Sequence, residues 1–384
     1  MGLEGSIRID LRLARGAVQQ VLLESSRPVH ASRVLEGKPV DEALSLLPLL
    51  FNVCATAQAC AAVRACEQAL EIQEAPASVR HRGLLVKLEN LREHLWRVFL
   101  DWPGWLGAGP DESAMQQLIR LQGALSGVLD PAQELFSPGA LPDVLEEEAW
   151  RSLMEQLETL LEARLFGQRP AHWLEGMDDA ALQAWSRRTD TIAARLLRKV
   201  LERDWAASGA CDVAPLPLLD GCELADAFAD DRFVEAPLWQ GEPRETSALT
   251  RQQGPLMQAL GQRWGNGLLP RLVARLVEVA RLCGELRALS IEPPAALSCP
   301  GRPGLGLGQA EAARGRLVHQ VILEGRRIRR YRILAPTEWN FHPRGVVARG
   351  LATLEGDRET IGEQARLLIG SIDPCVACEL NLHA

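Results

Sequence analysis

Asp373-Pro374-Cys375-Val376-Ala377-Cys378 is the stretch on which the reading of this 384-residue chain turns. A Cys-x-x-Cys sets two sulfurs about one helical turn apart, so one metal can take both or two metals can share them. Alone, such a pair fits equally a disulfide oxidoreductase or half of a zinc site. Working outward, a proline precedes the first cysteine, the sequence stops a few residues past the second, and Cys54 lies far upstream as a further sulfur.

Composition narrows the class. With 47% apolar and 24% charged residues the chain is an ordinary globular protein and not a disordered one. A formal charge of -8 argues against nucleic acid as the main partner, and the strip Arg326, Arg327, Arg329, Arg330 and Arg332 reads as a solvated strand face. The nine cysteines are an odd number, and Glu4, Arg8 and Asp10 interrupt any apolar leader, which predicts a reducing cytoplasm. Leu46 to Val63, the most apolar stretch, contains Pro48, Asn52 and Gln58 and is too polar to span a bilayer, so no membrane partner is expected.

Period-two alternation of Ile7, Ile9, Leu11 and Leu13 predicts a strand, and Ala14-Arg15-Gly16 a turn into a second through Val18 to Leu23. Helical patterning begins at Ser45. An Ala-rich helix follows from Cys54 to Leu70, then one from Leu84 to Leu100 stopped by Asp101-Trp102-Pro103. Further helices are read around Met115 to Val128, over Leu145 to Leu165, and over Arg271 to Leu289, where Cys283 sits on the apolar stripe as a core residue. Residues 204–247, rich in Pro, Asp and Gly, read as a long irregular connection, a lid or docking loop. Gly301, Gly304, Gly306 and Gly308 read as a flexible connection into a second hairpin about Glu324-Gly325. The expected division is one domain over 1–384: a hairpin region at 1–44, helical core at 45–203, the connection at 204–247, helical core again at 248–300, and a hairpin with the cysteine segment at 301–384.

Four motifs in order then resemble nickel-iron hydrogenase large subunits. Leu3-Glu4-Gly5-Ser6 is similar to their first-strand motif, and Phe51-Asn52-Val53-Cys54 through Gln58 to their Cys-Gly-x-Cys-x-x-x-His. Gly306 to Gly315, with Arg314, resembles their Glu-Ala-Pro-Arg-Gly stretch, and Ala335-Pro336-Thr337-Glu338-Trp339-Asn340 their Val-Pro-Thr-x-Trp-Asn. The resemblance implies a mostly helical α+β fold with small peripheral hairpins. It also implies that Cys54 and Cys378 stand where thiolates bridge nickel and iron, and Cys375 where one binds nickel alone. Arg314, Pro336 and Thr337 would surround the cyanides and carbonyl of the iron. Glu4 would lie near a proton path and Glu36 near a magnesium.

The departures matter as much. Phe51 stands in place of the fourth thiolate, Gln58 and Asn381 in place of two histidines, with His383 close to the second, and no C-terminal extension follows Ala384. In these features the chain resembles the HupK/HoxV-type maturation proteins, as it does in Leu91 to Trp96 ahead of Asp101-Trp102-Pro103 and in Glu245 to Leu249. The resemblance implies a non-catalytic cytoplasmic scaffold that binds or carries an Fe(CN)2(CO) unit, with nickel not expected. Its partners would be the hydrogenase large subunit and other maturation proteins. The rivals are a working hydrogenase subunit, a thiol oxidoreductase using Cys375 and Cys378 alone, and a metal-free interaction subunit.

Overall fold

Alternation at the start of the chain does form a strand, and the computed structural model, which describes residues 5–51, 53–292 and 295–383, places it at the centre of a small sheet. The strands are β1 (Ser6–Ala14), β2 (Ala17–Ser25), β3 (Leu305–Ala312), β4 (Gly315–Glu324), β5 (Arg327–Leu334) and β6 (Ala377–His383), in two sheets ordered β2-β1-β6 and β3-β4-β5. Ile7, Ile9 and Leu11 are fully buried while Arg8 and Arg12 face solvent. Arg15 and Gly16 both take positive φ (54° and 76°), the twist that suits a two-residue hairpin turn. On the other edge of β1 the cysteine segment runs parallel to it, with Ile7 opposite Cys378, Ile9 opposite Leu380 and Leu11 opposite Leu382.

Between the sheets lies a mostly helical body. Helix α1 (Val40–Leu50) ends at Phe51, α2 (Ala55–Ala69) follows, and α3 (Pro76–Trp96) packs behind it. Ala57, Ala61, Ala62 and Ala65 of α2 are buried against β3. A Cβ on Gly306 would stand 1.8 Å from the carbonyl oxygen of Ala65, and one on Gly308 2.0 Å from that of Ala61. Of the glycines expected to make a flexible connection, Gly301 and Gly304 lie in the turns before β3, but Gly306 and Gly308 are strand residues that let helix and sheet backbones touch.

Other expectations shift in detail. The helix read from Leu84 begins at Pro76, which sits in the first turn where its missing N–H is harmless. It does not stop at Asp101-Trp102-Pro103; a widened turn over Arg97–Asp101 leads into a short helix, Trp102–Trp105, with Pro103 again in the first turn. Helix Leu268–Arg287 runs through the body with nearly all of its side chains buried, Cys283 among them. Residues 204–247 are irregular for most of their length but packed: two short helices, Gly221–Ala227 and Asp231–Glu235, bury Leu224 and Val234, Phe228 between them is buried, and Trp239 is 3% exposed. Cys222 and Cys299, expected to be reduced, form a disulfide across that region, their Cα atoms 4.7 Å apart and within bridging range. Nor is the arginine strip all solvated. Arg332 is 6% exposed and reaches Glu36 and Asp231, and Arg330 donates to the carbonyl of Phe228; Arg326, Arg327 and Arg329 remain exposed.

Glycine at 306 and 308 is thus a packing requirement. Gly308→Ala is expected to cost roughly 1–3 kcal/mol or more, because overpacking forces backbone apart. Gly284→Ala, on an exposed helical position with open space around it, is expected to be neutral or stabilising by up to ~1 kcal/mol. Urea unfolding of the two variants side by side measures this, and equal midpoints would refute the close-approach argument.

Candidate metal-cargo site

The first amides of a helix need acceptors. Those of Thr56 and Ala57 in α2 donate to the two carboxylate oxygens of Glu89 on α3, at 2.7 and 2.9 Å. Glu89 is buried, which raises its pKa against the pull of those donors. Its grip fixes where α2 starts and therefore where Cys54, the N-cap residue, holds its sulfur. That sulfur lines a cavity of about 300 Å³ whose walls include Leu49, Leu50, Phe51, Leu317, Ile333 and Ala335. Burial pushes the Cys54 thiol up to about 12, with Glu89 and Cys375 adding to the effect and Gln58 and Arg314 opposing it.

Cys375 reaches the same cavity by a different route. Helix Arg358–Ile372 ends at Asp373, whose left-handed conformation (φ 71°) is one that aspartate tolerates better than most side chains. Its N–H closes the helix on the carbonyl of Ile369 at 2.8 Å. With Pro374 next, the chain turns away and presents Cys375. The sulfur accepts a hydrogen bond from Arg27 Nη1 at 2.8 Å and lies 3.1 Å from Thr337 Oγ1. Arg27 is anchored in turn by Glu338, 3.3 Å from its Nε. Thr337 stands in the short helix Pro336–Asn340, which opens with Pro336 at the cavity wall.

Arg314, in the β3–β4 turn, is 6% exposed and donates to Glu93 at 3.1 Å, with its Nε 3.3 Å from Asp373. Burial alone would lower its pKa, but Asp373 and Glu93 hold it above the usual arginine value. Arg97 and Arg275 also close on Asp373, at 2.7 and 3.4 Å. Against a burial that would raise it, these three guanidinium groups pull the Asp373 carboxyl down to about 2. The network continues from Arg275 through His94 to Glu278 and Arg251. Burial would raise Glu278 too, yet Arg251 and His94 bring it to about 2.

Of the predicted site residues, Cys54, Cys375, Arg314, Pro336 and Thr337 therefore meet at one cavity. Cys378 does not. From Ala377 the chain is extended, and alternation puts Cys378, Leu380 and Leu382 against the apolar cluster of Ile7, Ile9 and Leu11, where burial raises its thiol to about 11. The three-sulfur set implied by the resemblance is thus split, and among the described residues no group of three His, Cys, Asp or Glu side chains could hold a metal. Glu36, expected near magnesium, accepts from Arg332 at 3.1 Å. Glu4 lies outside the described residues. Asn381 and His383 lie along β6 away from the cavity, His383 bonding Asp10 at 2.8 Å. Sequence reasoning missed Arg27, Glu89, Glu93 and Asp373 as structural partners; only Asp373 had a signal, its place before Pro374.

With this geometry in hand, relatives can be compared. The chain is 32% identical to the hydrogenase expression/formation protein HoxV of Cupriavidus necator, over 92% of this chain and 91% of that one. It belongs to the HupK/HoxV family. The HupK protein of Bradyrhizobium diazoefficiens is 30% identical over 100% of this chain and 98% of its own length. The nickel-dependent hydrogenase family matches residues 293–381, which include Arg314, Thr337 and both late cysteines. Among solved structures, a reduced, active nickel-iron-selenium hydrogenase from Desulfomicrobium baculatum superposes with a TM-score of 0.64 at 15% identity, covering 95% of each chain. That likeness establishes the large-subunit fold for this HupK/HoxV member. No described helix is long and apolar enough to cross a membrane.

The charge network makes two tests. Asp373→Ala leaves the buried Arg275 and Arg314 and the partly exposed Arg97 short of a partner and is expected to cost roughly 3–5 kcal/mol in urea unfolding. Glu278, depressed in the folded state, stabilises fully above its unfolded value near 4.5 and loses that contribution as pH falls toward about 2. Glu278→Gln should flatten the fall in stability across that window, and an unchanged acid profile would show that the carboxylate is not held by Arg251.

Proposed function

We propose that this HupK/HoxV member is a hydrogenase maturation scaffold that holds the Fe(CN)2(CO) unit as cargo before its transfer to the hydrogenase large subunit. The observation that carries the reading is the placing of Cys54 and Cys375 on one partly apolar cavity between two guanidinium groups, Arg27 and Arg314. Thiolates are the ligands iron of this kind takes, cyanide nitrogens call for strong donors, and a carbonyl ligand is best left in apolar surroundings. The fit is supported by the donor set: Arg27 and Arg314 both line the cavity, and Arg27 already donates to the Cys375 sulfur. Phe51 and Leu317 supply the apolar wall.

Two thiolates and two cations suit a carrier. Cys54 would hold iron as its thiolate, an ionisation that burial of the sulfur opposes and that the metal would have to drive. Arg27, at the Cys375 sulfur, would stand beside the cargo as a cationic donor. Cys378 supplies a third thiolate only if β6 parts from β1. The names of the relatives, hydrogenase expression/formation proteins, support the maturation role. Nickel has no fourth thiolate here because Phe51 lines the wall.

Protein purified without oxygen from cells making hydrogenase should show cyanide and carbonyl infrared bands and contain iron with little nickel. Cys54→Ala and Cys375→Ala should each abolish the bands, whereas Cys378→Ala should weaken them less. Arg27→Ala and Arg314→Ala should lower iron retention roughly tenfold to a hundredfold, the size of losing one charge-assisted hydrogen bond at a desolvated site. Stoichiometric nickel, or bands that survive Cys54→Ala, would sink the scaffold reading.

A further inference from the structure

A buried polar chain behind Cys54 is used by nothing described so far. Gln58, one turn into α2, points its Nε2 at Cys54 Sγ, 3.5 Å away, and its Oε1 at His319 Nε2, 2.8 Å away. His319 Nδ1 is in turn 2.8 Å from the hydroxyl of Tyr331. Gln58, His319 and Tyr331 are 2%, 0% and 1% exposed, and their surroundings are apolar, including Leu317, Val321 and Ile333.

We propose that His319 and Tyr331 are positioning residues for Cys54: they hold the Gln58 amide so that its N–H, and not its carbonyl, faces the sulfur. The polarity follows from which atoms can donate. An amide oxygen only accepts, so His319 must carry its proton on Nε2. A fully buried imidazole is neutral, burial taking this one down to about 3, so Nδ1 has a free lone pair. Tyr331 therefore donates to Nδ1. Proton donation runs one way, from Tyr331 to His319 to Gln58 to Cys54. Were the Gln58 amide reversed, its oxygen would confront the sulfur and repel a thiolate, and both other bonds would have to reverse with it.

Buried polar groups are generally paired, so pairing alone would be unremarkable. What gives this chain a role is its end point. Of all partners for the last N–H, the fold offers a sulfur that lines the cargo cavity, 3.5 Å away. A thiolate bound to iron gains a donor pointed at it before the metal arrives, and hydrogen bonds to a ligating sulfur tune how firmly the metal is held.

This inference deepens the cargo reading and rests on Cys54 being a ligand, but its test uses metal-free protein, so either can fail without the other. Tyr331 is the single tyrosine of the chain. Full-length protein labelled with carbon-13 at the tyrosine ring Cζ therefore gives one tyrosine signal, sensitive to whether the hydroxyl donates or accepts. Cys54→Ala removes the acceptor, frees the amide to reverse, and should move that signal by more than its own width. Cys375→Ala, in the same cavity but off the chain, should leave it in place. Cys54→Ser restores an acceptor and should return the signal toward its original position. In a Gln58→Leu background the Cys54→Ala change should have no further effect. Where Cys54→Ala does not fold, the comparison of Gln58→Leu, which must move the signal, with Cys54→Ser, which must not, decides. A signal indifferent to folded Cys54→Ala, or moved equally by Cys375→Ala, overturns the proposal and leaves the three residues as a satisfied polar patch of the core.

Discussion

Asp373 holds four separate parts of the chain to one point. Arg97 reaches it from the turn after α3, Arg275 from the long buried helix, Arg314 from the β3–β4 turn, and its own backbone closes the helix before the cysteine segment. Burying one carboxylate with three arginines is costly in desolvation, and apolar side chains of similar volume would pack as well or better. What the charges supply is position. Each guanidinium has a planar fork and a narrow range of useful geometries, so the cluster sets where Arg314 lies over the cavity and where Cys375 leaves the helix. At the cavity wall itself Arg27 and Arg314 stand beside one carboxylate, Glu338, which suits an anionic occupant.

Much of the fold was legible. The alternation of Ile7, Ile9 and Leu11, the Arg15-Gly16 turn, the Ala-rich run after Cys54 and the stripe containing Cys283 each obey a short-range rule, and each formed the element read from it. The failures share a cause. Glycine at 306 and 308 looks the same in sequence whether it frees a loop or admits a neighbouring backbone, and only the position of α2, more than two hundred residues earlier, tells them apart. The burial of Arg332 likewise depends on Glu36 and Asp231, which no periodicity connects to it.

The site was legible in the same uneven way. Motif order singled out Cys54, Cys375, Arg314 and Thr337, and the structure brings these four to one cavity. The resemblance placed Cys378 with them, whereas the chain becomes a strand at Ala377, and alternation from there turns Cys378 onto the apolar cluster of β1. Arg27 stands in Ser25-Ser26-Arg27-Pro28, a context without pattern, and Glu89 on a helix face that reads as ordinary amphipathic surface; both matter only through partners distant in sequence.

The parallel pairing of β1 with β6 has a kinetic side. Its partners, Ile7 with Cys378 through Arg12 with His383, are separated by about 371 residues, so closing it confers its contacts only after a very long loop has been fixed. The cavity shares this long-range dependence: Cys54 and Cys375, more than three hundred residues apart, meet on its wall only because the last strand returns to the first, so the site draws on both ends of the chain.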